Sequence, residues 1–390
     1  MGPFREGTFT SPLRSERLTA QLGIALGTLI AICFVTGMIS HLIQHPTWWF
    51  AWPSRPINLY RITQGLHVAS GLAAVPLLLA KLASAYHRLY VWPPARDLGH
   101  AIERLSVAVL VGSVIFQLVT GVLNLSRWYG AMGFFFTVAH YWTAWIAVGA
   151  VVIHIGVKLP VIRRALSPAG SSAAAGPGVP VGRAAAGPSV PAGGADTGRR
   201  AALAAVGAAV GVVTVTTVGQ TVKPLAPFAV LAQRDLDVGP QRLPVNKSAV
   251  AAKVVDSARD PSYRLAVAGP GGERHFTRVE LERLPQHTVR LPIACVEGWS
   301  AEAEWRGVRL ADLLDLVAAP PDAVAYVESL QRQGGYRSSE IGPPHSRDPL
   351  TLVALWLNGE TLHVDHGYPC RLIAPNRPGV LQTKWLARIA

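Results

Sequence analysis

Three histidines in the N-terminal half stand where histidine is costly. His67, His140 and His154 lie inside long apolar runs, and an imidazole buried in a membrane span is rare unless it serves a function. His140 and His154 are 14 residues apart, which on a helix puts them roughly 21 Å apart and within about 40° of one face. That spacing suits two stacked planar cofactors, and imidazole is a common axial ligand of haem iron. Hydrogen bonding between helices is the plain structural alternative. His67 and His140 each sit about seven residues into their runs from the same side, so they are expected to meet across the helices and hold a haem b. The partner of His154 stays open. Lys81 follows His67 by 14 residues and repeats the relation of His140 to His154. His87 follows by 20, about 30 Å on and turned by some 200°. A neutral lysine amine can bind iron, while a lysine reaching toward the lipid headgroups is the bland alternative. His41, His45, His87 and His100 fall near the ends of the runs.

The chain has three cysteines, too few for a disulfide framework. Cys33 lies in an apolar run, whereas Cys295 and Cys370 lie in the polar C-terminal part. A thiolate at Cys295 would be a soft metal ligand. A disulfide between Cys295 and Cys370 is the structural alternative in an oxidising exterior. His363, His366 and Cys370 form a third option, as ligands of an ion such as zinc.

The elements that must position these residues follow from composition. Half of the 390 residues are apolar and 15% are charged, with positive mean hydropathy, which points to a membrane protein. Four apolar runs, Leu18 to Ile39, Ile62 to Ala85, Leu105 to Leu125 and Phe134 to Val157, each reach the roughly 20 residues a spanning helix needs. They predict a membrane four-helix haem bundle over 18–160, after a cytoplasmic N-terminus at 1–17. Trp48, Trp49, Trp52, Tyr60, Trp128 and Tyr129 cluster at the run ends, where amphipathic rings favour the headgroup layer. From Ser167 to Gly198 the composition falls to Ala, Gly, Pro and Ser, which cannot bury a core and reads as a linker, placed at 161–200. Arg199 and Arg200 then precede an apolar segment at 201–222 that is similar to a twin-arginine export signal. It is read as a fifth, uncleaved transmembrane helix, with a cleaved signal as the alternative.

The formal net charge of +13 does not point to nucleic acid, because Lys and Arg are spread through loops and termini. Their placement reads as topology. Arg5, Arg14 and Arg17 precede the first run, Arg88, Arg96 and Arg104 join the second to the third, and Lys158, Arg163, Arg164, Arg183, Arg199 and Arg200 follow the fourth. The opposite loops hold Arg55, Arg61 and Arg127. The positive-inside rule then puts the N-terminus and linker in the cytoplasm. A connector at 223–247 and the domain at 248–390 follow on the outside. That domain carries short alternating runs at Tyr263 to Ala268 and Leu352 to Leu357, and an amphipathic stretch at Leu310 to Val317. They predict a mixed, strand-rich α+β globule.

Two blocks of this domain carry a resemblance. LPIACVEGWS at Leu291 to Ser300, followed by WRGVRLADLL at Trp305 to Leu314, resembles the molybdopterin domain of the sulfite-oxidase superfamily. Within it, catalytic subunits of periplasmic methionine sulfoxide reductase systems carry their metal-binding cysteine in a similar C-V-E-x-W-S run. NGETLHVDHGYPCRLIAPNRPG at Asn358 to Gly379, then KWL at Lys384, resembles the later signature of the same superfamily. The resemblance implies a molybdenum cofactor, with Cys295 as the thiolate on the metal beside the dithiolene sulfurs of the pterin. It further implies Arg371, Arg377 and Lys384 as donors to the pterin phosphate, with His366, the Gly367 backbone and Glu297 as cofactor contacts. Tyr336, in QGGYRSS, sits where the family often carries a pocket-lining tyrosine, with plain packing as the alternative. The N-terminal runs resemble the dihaem b-type cytochromes of formate dehydrogenases and nickel-iron hydrogenases, although no histidine stands in Arg14 to Ile24 to pair with His154.

The expected activity is two-electron oxygen-atom transfer at an exterior molybdenum centre. Haem b would exchange single electrons with the quinone pool or a redox partner protein. Reduction of a small oxidised sulfur or nitrogen compound is the first reading and sulfite-type oxidation the second. A membrane sensor or scaffold with a degenerate cofactor fold is the alternative from another class. A transporter is disfavoured by the absence of a broken helix or inverted repeat.

Overall fold

The computed structural model describes residues 15–86, 97–167, 192–218, 221–232 and 234–390. Five helices long and apolar enough to cross a membrane come first: α1 Glu16–Gln44, α2 Leu59–Ala85, α3 Leu98–Leu125, α4 Phe136–Leu166 and α5 Ala192–Val218. Most outrun their apolar cores. Helix α3 starts before Leu105 because the Asp97 side chain caps it, accepting from the His100 N–H at 2.8 Å. Helix α4 continues into Arg163 and Arg164, cations that suit a helix C-terminus. Helix α5 starts at Ala192, inside the stretch expected to be linker, and ends at Val218. The remainder, 168–191, lies outside the described residues, as do Arg5, Arg14, His87, Arg88, Arg96 and Arg183.

The chain divides into two compact units, 1–35 with 69–215, and 36–68 with 216–390. The first is a helical bundle. Leu18, Leu22 and Leu26 of α1 pack with Ala74, Leu77 and Leu78 of α2, Val114 of α3 and Ala147 of α4, and Ala202, Leu203, Val206 and Val210 of α5 join them. Leu79, Val109, Val152 and Ile153 are exposed on the same helices. A helix apolar on all faces is what lipid contact requires.

The second unit holds the strands. One sheet runs in the order β2 (Gly272–Phe276), β1 (Leu265–Gly269), β10 (Leu386–Ile389), β5 (Ala325–Ser329), β6 (Ser338–Ile341), with β1 and β10 parallel. The other runs β3 (His287–Ala294), β4 (Ser300–Arg309), β7 (Leu352–Leu357), β8 (Glu360–Thr361), and β9 (Arg371–Ile373) also pairs with β7. Successive side chains of a strand face opposite ways. In β7, Val353 and Leu355 join one core with Leu265, Val267, Val327, Leu386 and Ile389, while Leu352 and Ala354 join another with Leu291, Ile293 and Trp305. Burial on both faces explains why LVALWL reads as one apolar run. The amphipathic stretch forms the helix Leu310–Asp315, and Val364–His366 form a one-turn 3-10 helix capped by His363.

The C-terminal end of α1 and the N-terminal end of α2, with their connection, belong to this second unit. Ile43 and Tyr60 are buried with Ala294 and Leu381, and Ile39, Phe50, Trp52 and Tyr336 pack against them.

Candidate active site

Strands β3 and β4 pair from His287 with Gly307 to Ala294 with Ser300, so Cys295 to Trp299 form the loop that joins them. The Cys295 N–H donates to the Trp299 carbonyl at 2.9 Å and the Gly298 N–H to the Cys295 carbonyl at 3.0 Å. Gly298 has φ +95°, a conformation that favours glycine. The turn brings two donors to the buried Cys295 Sγ: the Glu297 N–H at 3.3 Å and Asn246 Nδ2 at 2.5 Å. Trp299 Nε1 donates to Asn246 Oδ1 at 3.0 Å and fixes that amide. The Glu297 carboxylate faces Arg234 at 3.7 Å. Burial, then the nearby Glu297 charge, pushes the Cys295 thiol up to about 12, against the lowering pull of the Glu297 N–H, Asn246 and Arg234. Such a thiol is no free nucleophile. Two N–H donors on its sulfur instead suit a thiolate whose proton has been replaced by a metal.

The rival readings of the cysteines are set aside by geometry. Cys295 and Cys370 are both free thiols in different cores, and Cys370 Sγ lies 3.2 Å from the Tyr263 hydroxyl. Among the described residues no cluster of three or more His, Cys, Asp or Glu is placed to hold a metal ion, so His363, His366 and Cys370 do not form a zinc site.

The second motif block lies alongside the cysteine loop. Pro378 makes a parallel bridge with Ala294, and a Cβ on Gly379 would stand 3.3 Å from the Ala294 carbonyl. The Arg371 guanidinium is buried, donates to the carbonyls of His366 at 3.0 Å and Gln382 at 3.1 Å, and sits 5.0 Å from the Trp305 ring. Buried Arg377 donates to the Glu340 carbonyl at 2.6 Å, and Lys384 Nζ to the carbonyls of Lys247 at 2.5 Å and Asp365 at 2.8 Å. Burial lowers Arg371 to about 9, Arg377 to about 10 and Lys384, with Arg371 adding its repulsion, to about 7. Among the described residues none of the three makes an ion pair with a carboxylate, and Nε of each arginine has no hydrogen-bond partner. Buried positive charge without a counterion is costly. These residues therefore fit an anionic group such as the phosphate of a pterin cofactor.

Gly367 and His366, the two expected cofactor contacts, have these surroundings. Gly367, at φ +112°, would place a Cβ 3.0 Å from Arg371 Cβ and 3.1 Å from Lys384 Cβ. Its missing side chain lets the chain at Arg371 and at Lys384 pack closely against it. His366 Nε2 bonds to the Pro240 carbonyl at 2.7 Å, and burial lowers its pKa to about 4, so it is neutral and ties the preceding connector to the domain.

Tyr336 is half-buried and its hydroxyl donates to Gln44 Oε1 at 2.9 Å, with Gln44 Nε2 donating in turn to Ser40. Burial, and then the nearby Cys295, raises the Tyr336 pKa. More of this neighbourhood comes from the α1–α2 connection than sequence reasoning expected. Gln64 Nε2 donates to the Val296 carbonyl at 2.9 Å. Asn376 accepts from the Tyr60 N–H at 2.6 Å and the Trp52 Nε1 at 2.8 Å, and donates to the Pro53 carbonyl at 2.6 Å. Arg55 grips Asp348 with two nitrogens at 3.1 and 3.0 Å, and Thr221 Oγ1 donates to the Gly298 carbonyl at 2.7 Å. Asn246, Gln64 and Asn376 were all missed. For Gln64 the signal was available, since a glutamine inside an apolar helix needs a partner.

The bundle histidines are each held locally. Thr36 Oγ1 lies 3.3 Å from His67 Nδ1, and a Cβ on Gly37 would stand 3.0 Å from His67 Cε1. Thr120 Oγ1 lies 3.1 Å from His140 Nδ1. A hydrogen bond at one ring nitrogen is how ligand histidines are oriented for the other. His154 is faced by Lys81, Lys158 and Glu103. Lys81 Nζ donates to the Thr19 carbonyl in the first turn of α1 at 2.5 Å.

Residues 251–390 match the family described as oxidoreductase molybdopterin binding domain. The chain is 35% identical over 133 residues to the putative protein-methionine-sulfoxide reductase subunit YedZ1 of Azospira oryzae, covering 34% of this chain and 48% of that one. It is 30% identical over 152 residues to the mitochondrial sulfite oxidase of Drosophila melanogaster, covering 33% of this chain and 26% of that one. Among solved structures, the sulfane dehydrogenase SoxCD from Paracoccus pantotrophus matches with a TM-score of 0.31 at 26% identity, over 33% of this chain and 38% of that one. The chain thus spans about half or less of the length of these relatives. Its C-terminal part is a molybdopterin-binding oxidoreductase domain of the sulfite-oxidase type.

Proposed function

Given an oxidoreductase domain of that type at its C-terminal end, we propose that this protein reduces a small S-oxide or N-oxide at a molybdenum centre outside the cytoplasm. Electrons would come from a quinol or a redox protein through haem b, with His67 and His140 as the ligands of one haem and His154 as a ligand of a second whose other ligand stays open. The observation that carries the reading is the buried Cys295 Sγ, which receives N–H donors from Glu297 and Asn246, beside the segment of Arg377 and Pro378 that bridges Ala294.

When bound, the molybdenum cofactor supplies the metal that accepts and releases the oxygen atom. The chain's own residues do the rest. Cys295 provides the thiolate, and its two N–H donors stabilise that charge. Arg371, Arg377 and Lys384 provide the cationic seat for the phosphate. The Tyr336 hydroxyl, close to Cys295 and raised above its ordinary pKa, keeps its proton at neutral pH and can donate it to an oxygen leaving as water. Sulfite-type oxidation is the second reading, favoured by the likeness to a sulfite oxidase.

The test is metal analysis and a visible absorption spectrum of the purified full chain, followed by turnover with methionine sulfoxide, dimethyl sulfoxide and sulfite. The expected result is one molybdenum per chain, a b-type haem spectrum and turnover of an oxide. Absence of molybdenum would refute the proposal, and haem reduction by sulfite would select the second reading.

A further inference from the structure

We infer that Gln64 is the electronic bridge between the cysteine loop and His67. The inference rests on the proposed function, in which Cys295 holds the metal and His67 a haem. Gln64 is only 6% exposed, and burial of a primary amide in an apolar helix is costly unless the amide is hydrogen bonded. Its Nε2 donates at 2.9 Å to the carbonyl of Val296, the residue after Cys295. Three residues further along α2 stands His67. Side chains three apart share a helix face, with Cβ atoms roughly 5–6 Å apart.

The route from the sulfur therefore runs through covalent bonds of Cys295 and Val296, one short hydrogen bond, and covalent bonds of α2 to the His67 ring. Electronic coupling decays far more steeply across an empty gap than along bonds, and this path replaces the gap with a single hydrogen bond. Its two ends are fixed. Thr36 and the missing side chain of Gly37 seat the His67 ring. On the other side, the first turns of α2 are held by Tyr60 to Asn376 and by Arg61, which donates to Glu302 and to the carbonyl of Thr221, whose hydroxyl in turn donates to the Gly298 carbonyl of the loop.

The electron balance is simple. Reducing one sulfoxide takes two electrons and two protons, breaks the S–O bond and releases water. Gln64 would pass the two electrons singly, and a quinol oxidised to quinone on the haem side would supply them.

The test uses the full chain in detergent, as wild type, Gln64→Leu, Gln64→Asn and His67→Ala. Haem is reduced with dithionite, excess reductant is removed, and its reoxidation on rapid mixing with methionine sulfoxide is followed by visible absorption. Turnover driven by a reduced viologen dye, which can feed the molybdenum centre directly, is measured in parallel. Gln64→Leu lacks the donor and Gln64→Asn is too short to reach Val296. Both are expected to keep molybdenum, the haem spectrum and dye-driven turnover while slowing haem reoxidation several-fold, and His67→Ala should lose the haem signal. Reoxidation at the wild-type rate in either Gln64 variant that retains both cofactors would overturn the inference and leave the proposed function standing. A wild-type haem that no S-oxide or N-oxide reoxidises would instead sink the proposed function, and the bridge with it.

Discussion

Lys384 makes the cationic seat testable through pH alone. In the cofactor-free chain burial holds its pKa down at about 7, against an ordinary 10.5. A bound phosphate monoester is dianionic above about pH 6 and favours the charged amine, so binding should raise the pKa again. Below pH 7 the lysine already carries its proton and affinity should be flat. Above pH 7 the amine is neutral in the free protein and must take up a proton on binding. Affinity then falls about tenfold per pH unit, or roughly a hundredfold and 2.7 kcal/mol between pH 7 and 9. Stability of the empty chain runs the opposite way. Between about 7 and 10.5 the unfolded state holds a proton that the folded state lacks, so stability rises with pH across that window. The assay is titration of full-length protein from a cofactor-deficient host with molybdopterin, followed by pterin fluorescence. Lys384→Arg should bind with little slope between about pH 7 and 8, because an arginine titrates well above a lysine in the same surroundings, and Lys384→Met should bind more weakly, also with little slope there. The same slope in wild type and Lys384→Met would refute the assignment of Lys384 to the phosphate.

Three further outcomes are expected. Cys295→Ser should abolish oxo-transfer while leaving the haem spectrum intact; wild-type turnover in that variant would remove the molybdenum reading. Asn246→Ala removes a donor to the sulfur and the acceptor of Trp299, worth about 1.5–3 kcal/mol as a hydrogen bond to a charged group. Molybdenum retention under dialysis should fall by roughly 10- to 100-fold, and unchanged retention would show that Asn246 has no hold on the thiolate. A reporter fused after Ala390 should be active outside the cytoplasm and one inserted between α4 and α5 inside it; activity on the same side for both would contradict an odd fifth crossing.

The helices were legible because membrane spans advertise themselves by continuous apolarity, and the Cys295 loop because its residue types are unusual and contiguous. Helix ends were not legible from apolarity. Asp97 extends α3 through a polar turn that hydropathy does not register. The surroundings of Cys295 were harder still, since Asn246 comes from a stretch that reads as connector and Gln64 from a helix far away in sequence. Gly367 was readable as a special position, but only packing shows that its empty space is filled by Arg371 and Lys384.

The placement of 36–68 within the same unit as 216–390 bears on where the gene can be cut. A soluble fragment beginning at 248 would lose the Ile43 and Tyr60 side chains that bury Ala294 and Leu381. It would also leave Asn376 without its three partners and Asp348 without Arg55. Such a fragment would thus expose an apolar patch next to the cysteine loop. A faithful soluble version would have to carry the α1–α2 hairpin tip grafted onto it. In biogenesis the same dependence imposes an order, because this hairpin leaves the ribosome well before the strands that close on it.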